Sequence, residues 1–215
     1  MNGVTFGAYH SYNDLHLLLT EREIGSPEVK TSKIEIAGAD SALDLTDFFG
    51  EPKYSDVKHR FNFSTIVSQS QFPALFSTVK SAIHGKKMRV ILDDDPLFYY
   101  MGRLTVSGFT TEKRIGKITV EADCDPYKYK LSKTVVTRAV NGTAEITLTN
   151  SRKRVVPMVK VEAASGLNIV FQGSNVWDLS SGTYTLPELE LAEGANTVTV
   201  TGAGTITFTW QEASL

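Results

Sequence analysis

The sequence predicts a mainly β protein in two parts. Residues 1–132 read as an N-terminal barrel- or sandwich-like domain with one α-helix, and residues 133–215 as a C-terminal β-sandwich. Three observations carry this. From Val57 to Thr65 apolar and polar residues alternate strictly, the period of a half-buried strand. Phe72, Leu75, Phe76, Val79, Ala82 and Ile83 instead fall at helical spacing and make one apolar stripe. Beyond Lys133 the chain becomes poor in charge and rich in Thr, Val and Gly, with short alternating runs at roughly ten-residue spacing, the cadence of a sandwich.

Taken in order, Val4 and Phe6 and then Leu15-His16-Leu17-Leu18-Leu19 predict two short strands around a polar turn at 11–14. Glu21 to Pro27 reads as a charged connector. Lys33 to Ile36 alternates as a half-buried strand should, and Gly38 with Asp40-Ser41 supplies a turn. Leu43, Leu45, Phe48 and Phe49 then form an apolar plug closed by Gly50 and Pro52. On the long strand that follows, Val57, His59, Phe61 and Phe63 share one face, while Lys58, Arg60, Asn62 and Ser64 share the other. A one-residue slip would expose the whole Phe face, so the register is firmly specified. The helix is bounded by a Ser68/Gln71 capping box and by Gly85, with Lys86-Lys87 complementing its negative end. Met88–Leu92 and Leu97–Val106 predict a hairpin through Asp93-Asp94-Asp95-Pro96, and Lys117–Ala122 a further strand.

In the second part Ala144–Leu148, Met158–Val161, Leu167–Phe171 and Gly182–Leu186 read as short strands. Thr197–Thr201 and Thr205–Trp210 read as a closing hairpin through Gly202-Ala203-Gly204, with Val200 facing Ile206 and Val198 facing Phe208.

Composition narrows the function classes. The 215 residues carry 22 basic against 24 acidic side chains, net charge -2, and neither half is basic, which argues against nucleic acid as the main partner. Cys124 is the single cysteine, so an intrachain disulfide and a Cys-rich zinc site are excluded; this fits folding in a reducing cytoplasm. The first residues lack a basic region and an apolar core, so no signal peptide is expected. No apolar run reaches membrane-spanning length, so no membrane partner is expected.

Candidate chemistry is sparse. Asp93-Asp94-Asp95 could serve a hard cation, but consecutive carboxylates point in different directions and the spacing is not that of a calcium loop, so a solvated hairpin tip is expected. His10, His16, His59 and His84 never pair at metal-ligand spacing. No Gly-x-Ser-x-Gly elbow is present. Gly202-Ala203-Gly204 and Gly173-Ser174 precede no helix and are not phosphate loops. No catalytic residue, metal or cofactor is expected. Trp177 and Tyr184 could form a sugar-stacking platform, whereas Trp210, alternating with Phe208 and Ile206, reads as core.

The stretch 36–46 then carries a resemblance. Gly38, Asp40, Leu43, Asp44, Leu45 and Thr46 match a Pro-Gly-Arg-Asp-Gly-x-Leu-Asp-Leu-Thr type turn. Gly50-Glu51-Pro52-Lys53-Tyr54 follows as a Gly-x-Pro-x-Tyr segment, then the Phe-rich strand, the helix and Asp123-Cys124-Asp125-Pro126-Tyr127. In this order the features resemble the distal tail protein family of long-tailed, non-contractile bacteriophages (siphophages). Ala37, Ala39 and Ser41 stand where Pro, Arg and Gly are common, so the turn is expected to differ in shape. The resemblance covers about residues 1–130. More loosely, residues 191–196 and the strands after them resemble the galectin-like C-terminal domains of some members.

The resemblance implies a structural virion protein rather than an enzyme. It implies a homohexameric ring at the distal end of the tail, assembled in the host bacterial cytoplasm. The first domain would form the ring, and the hub would join the tail-tube protein to the tail tip or baseplate. The alternative reading is a carbohydrate-binding protein that contacts host cell-wall polysaccharide through the C-terminal sandwich.

Overall fold

The computed structural model describes residues 3–48, 50–112, 115–173 and 175–215. The chain divides into two compact units, one of residues 1–128 with Leu215 and one of residues 129–214. The fold is mainly β, with one α-helix among the described residues.

In the first unit β1 (Val4–Phe6) and β2 (Tyr9–His10) form a small hairpin, and β3 (Leu17–Ile24) follows. The chain then makes four two-residue strands, β4 (Val29–Lys30), β5 (Lys33–Ile34), β6 (Leu43–Asp44) and β7 (Lys53–Tyr54). After them come β8 (Val57–Thr65), α1 (Phe72–Ile83), β9 (Lys87–Leu92), β10 (Phe98–Glu112) and β11 (Ile115–Lys130). The main sheet runs β2-β1-β9-β10-β11-β8-β3. β3 continues through residues 21–24, where a charged connector was expected, because β8 pairs with it as far as Ile24–His59. A bulge between Leu19 and Glu21 absorbs the mismatch of side-chain pattern.

β8 buries the face its alternation predicts. Val57, His59, Phe61 and Phe63 are buried, and Phe6 meets Phe61 and Phe63 edge to face at 5.8 and 6.1 Å. Across from them on β11 lie Val120 and Ile118. Each such side chain removed from water contributes about 1.5–3 kcal/mol.

The helix buries Phe72, Leu75, Val79, Ala82 and Ile83, and Phe76 stacks on Phe109 of β10 at 4.9 Å. The Ser68/Gln71 box forms, with Ser68 N donating to Gln71 Oε1 at 3.2 Å, but it caps the 3-10 turn Gln69–Gln71 that leads into α1, whose own first turn carries Pro73. At the other end Gly85 has φ +76°. Lys86 Nζ donates to Ser81 O and Ala82 O, each at 2.8 Å, satisfying carbonyls that a helix end leaves free.

The second unit is one five-stranded sheet that curls into a half-barrel. β12 (Thr134–Asn150), β13 (Met158–Phe171) and β16 (Gly194–Trp210) run its length, while β14 (Asn175–Leu179) and β15 (Gly182–Thr185) each cover one half of β13. Three sequence expectations are corrected here. Residues 158–161 and 167–171 belong to one strand with a register shift between Ala163 and Leu167. Ala144–Leu148 is the C-terminal part of a longer strand, β12. Thr197–Thr201 and Thr205–Trp210 are not a hairpin but two halves of β16.

Val200 therefore lies opposite Ala144 and Ile169, and Ile206 opposite Arg138 and Val161. Glycines bend the sheet instead of ending its strands. Gly142 (φ +96°) lies opposite Gly202 (φ +135°), and Gly202 in turn lies opposite Leu167, next to Gly166 (φ +82°). A Cβ on Gly202 would stand 2.9 Å from Leu167 Cδ2, and one on Gly204 2.5 Å from Ala163 Cβ. The bend thus requires bare backbone, and the even-numbered residues of β16 face one core on both sides of it.

Candidate functional site

The sequence motif of residues 38–54 builds an arm. Ile24 ends β3 and Val57 begins β8, and residues 25–56 leave the sheet between them. β4 pairs with β7 and β5 with β6, so the excursion is a ladder of two short two-stranded pieces.

Gly38 takes φ +85° and Gly50 φ +99°, conformations that favour glycine, at the two turns. Ala39 N donates to Ile36 O at 3.1 Å, although Asp40 itself stays exposed. Asp44 Oδ1 accepts Thr46 N at 2.9 Å, and the Thr46 side chain, seconded by this backbone bond, holds its carboxyl below the usual carboxylate range. Thr46 Oγ1 accepts Ser32 N at 3.2 Å, and Leu45 N donates to Ser32 O at 2.8 Å. Pro52 precedes β7, and the Tyr54 ring meets Tyr127 edge to face at 6.0 Å.

From 25 to 56 no described residue is buried. Ile34 is 51 % exposed, Ile36 50 %, Leu43 49 % and Phe48 71 %. The expected half-buried strand at Lys33–Ile36 and the apolar plug of Leu43, Leu45 and Phe48 are thus both corrected; Phe49 lies outside the described residues. Two-residue ladders have no second layer to pack against, so alternation here places apolar side chains in water.

At the root of the arm His59 is fully buried, its Nδ1 accepting Gly25 N at 3.2 Å and its ring 4.4 Å from that of Tyr100. Burial pushes its pKa down to about 4. A Cβ on Gly25 would stand 2.6 Å from Lys58 O, so the chain can pass this point only as glycine.

The other predicted features are placed as follows. Asp93, Asp94 and Asp95 form the β9–β10 tip, but each is tied to its own partner. Asp93 accepts Gly3 N at 2.7 Å and lies 3.2 Å from His10 Nε2. Asp94 is held bidentately by Arg22, and Asp95 by Lys128 Nζ at 2.9 Å. Among the described residues no three acidic, His or Cys groups cluster as a metal site. On the wet face of β8, Arg60 and Lys58 reach Glu121 at 2.9 and 3.7 Å.

Cys124 is buried and its thiol is pushed up to about 12, chiefly by desolvation, which makes it inert. Trp177 lies opposite Ile169 and Tyr184 opposite Val159, at different ends of β13. Both rings are half-buried against the core, and the Tyr184 hydroxyl donates to Ser180 O at 3.0 Å. Trp210 is core.

The whole-chain comparison decides the fold. The SPP1 Dit protein, described as a paradigm of the hub adsorption apparatus in phages that infect Gram-positive bacteria, superposes with a TM-score of 0.74. The match covers 98 % of this chain and 99 % of that one, at 14 % sequence identity. The chain has the fold of SPP1 Dit. No protein-family model matches the chain, and no curated protein sequence matches it. The likeness to SPP1 Dit extends over both units, so one known mainly β fold covers the described chain.

Proposed function

We propose that this chain is the distal hub of a siphophage tail, a structural protein that closes into a homohexameric ring between tail tube and tail tip. The observation that carries it is the exposed apolar arm on a fold shared with a hub protein over its whole length. The chain leaves Ile34, Ile36 and Leu43 half-exposed on one excursion, and a clustered apolar surface of this kind marks an interaction site. A ring needs such a heterologous contact, one surface of each copy meeting a different surface of the next. In this reading the first unit closes the ring and the second projects from it. The partners are the tail-tube protein and the tip protein, the site of action is the distal end of the virion tail, and no substrate is turned over.

The test is the native mass of the purified full chain by light scattering. About six times 23.6 kDa, with ring-shaped particles in negative stain, supports the hub. Ile34 and Leu43 are cross-strand partners, so the double variant Ile34→Asp/Leu43→Asp is expected to give a folded monomer. A wild-type chain that stays monomeric even with its tail-tube partner present defeats the reading.

A further inference from the structure

A groove in the first unit lies between the β1–β2 hairpin, the turn after it and the outer side of α1, with a volume of about 840 Å³. We infer that it binds a neutral oligosaccharide, whose hydroxyls donate to the groove walls while Tyr9 covers a sugar face. The inference does not rest on the hub reading and uses none of the arm.

The groove floor is apolar, with Leu15 and Ala82 buried beneath it. Its walls are polar and rich in acceptors. Ser77 Oγ donates to Pro73 O and Thr78 Oγ1 to Ala74 O, both at 3.0 Å. Those hydroxyl protons are therefore occupied along the helix, and the oxygens offer lone pairs outward. Asp14 uses Oδ2 to accept His10 N at 2.6 Å, and its carboxylate can accept further bonds. Asn13 and Ser81 add groups that can donate or accept.

Among the described residues no Lys, Arg or His lines the groove. An anionic ligand would meet Asp14 with no cation to compensate, whereas a donor-rich uncharged ligand would meet matching acceptors. Tyr9, 40 % exposed, presents the aromatic surface that the apolar side of a sugar ring stacks on. The volume lies within the range of small-molecule sites.

The wall is also pre-organised. His10 Nδ1 accepts both Tyr12 N and Asn13 N at 3.2 Å, so the ring proton resides on Nε2, which faces Asp93 at 3.2 Å. Leu15 N closes the turn on His10 O at 3.2 Å. A turn fixed from inside loses little freedom when a ligand arrives.

The test titrates the full-length chain with chitotriose and with maltotriose, followed by amide chemical shifts and saturation-transfer NMR, and with tetralysine as the cationic alternative. Expected are binding of at least one trisaccharide, shifts centred on residues 8–15 and 77–82, and about tenfold weaker binding in Tyr9→Ala. Ser81→Trp, which fills the groove, should abolish binding, and Trp177→Ala should leave it unchanged. Near-UV circular dichroism of each variant separates lost binding from lost fold. Three outcomes overturn the inference. One is no trisaccharide binding up to about 20 mM, a level at which even millimolar affinities would saturate. Another is binding of tetralysine alone. The third is saccharide binding that survives both groove variants and disappears in Trp177→Ala.

Discussion

His59 is the residue where sequence pattern and electrostatics meet. Alternation places it among Phe61 and Phe63, and burial there depresses its pKa from 6.5 to about 4. The neutral ring accepts Gly25 N through Nδ1, so protonation both breaks that bond and charges a dry site. The unfolded chain takes up the proton near its ordinary pKa and the folded chain does not. Stability from this residue is therefore complete above about pH 6.5 and falls away as the pH drops towards 4, by up to about 3 kcal/mol. Urea unfolding at pH 7.5 and at pH 4.5 should show a lower midpoint in acid, and His59→Gln should flatten that dependence. Cys124 gives a second residue-scale test. Buried and with its thiol near 12, it should react with a thiol reagent at pH 8 only after denaturant is added.

At the scale of elements, the helix ends and the bend glycines make opposite demands on sequence reading. Ser68, Gln71, Gly85 and Lys86 sit within a few residues of the backbone groups they satisfy, so local order reveals them. Lys86→Ala should destabilise the chain by about 1 kcal/mol, since two helix-end carbonyls lose a charged donor; thermal unfolding measures it. Gly202-Ala203-Gly204 looks locally like a turn. It becomes a bend because β12 pairs with β16 without interruption on one side and β13 holds its two halves on the other. Gly204→Val places a side chain against Ala163 Cβ and Glu162 O and should cost about 1–3 kcal/mol, or more where backbone must shift. The corresponding change at Gly108, where a Cβ meets nothing within 4 Å, is the control in the same denaturation series.

For the whole molecule, the proposed ring predicts a change in accessibility rather than in fold. The described residues from 25 to 56 are unburied in the single chain, so a protease should cut the arm readily in the Ile34→Asp/Leu43→Asp monomer. The assembled wild type should resist, with both species keeping the same core. Equal cleavage in both would mean that the arm takes no part in closing the ring.

What the sequence determined by itself was local. Strict alternation placed β8 and its buried face, a 3.6-residue period with caps placed α1, and Asp93-Asp94-Asp95-Pro96 placed the β9–β10 tip. The turn motif of residues 38–54 could be read as a motif, but not its exposure: Ile34 and Leu43 look the same in sequence whether or not a second layer covers them. Tertiary structure alone decided that the arm's Ile34, Ile36 and Leu43 stay exposed, that the three aspartates answer to Gly3 with His10, to Arg22 and to Lys128, and that glycines bend β16 rather than end it. It also gathered the hairpin, the 11–15 turn and α1 around one groove. The physical reason is common to all four. Periodicity and capping depend on neighbours a few residues away, whereas burial, ion pairing and strand continuity depend on partners tens of residues distant, which the chain meets only once it has folded.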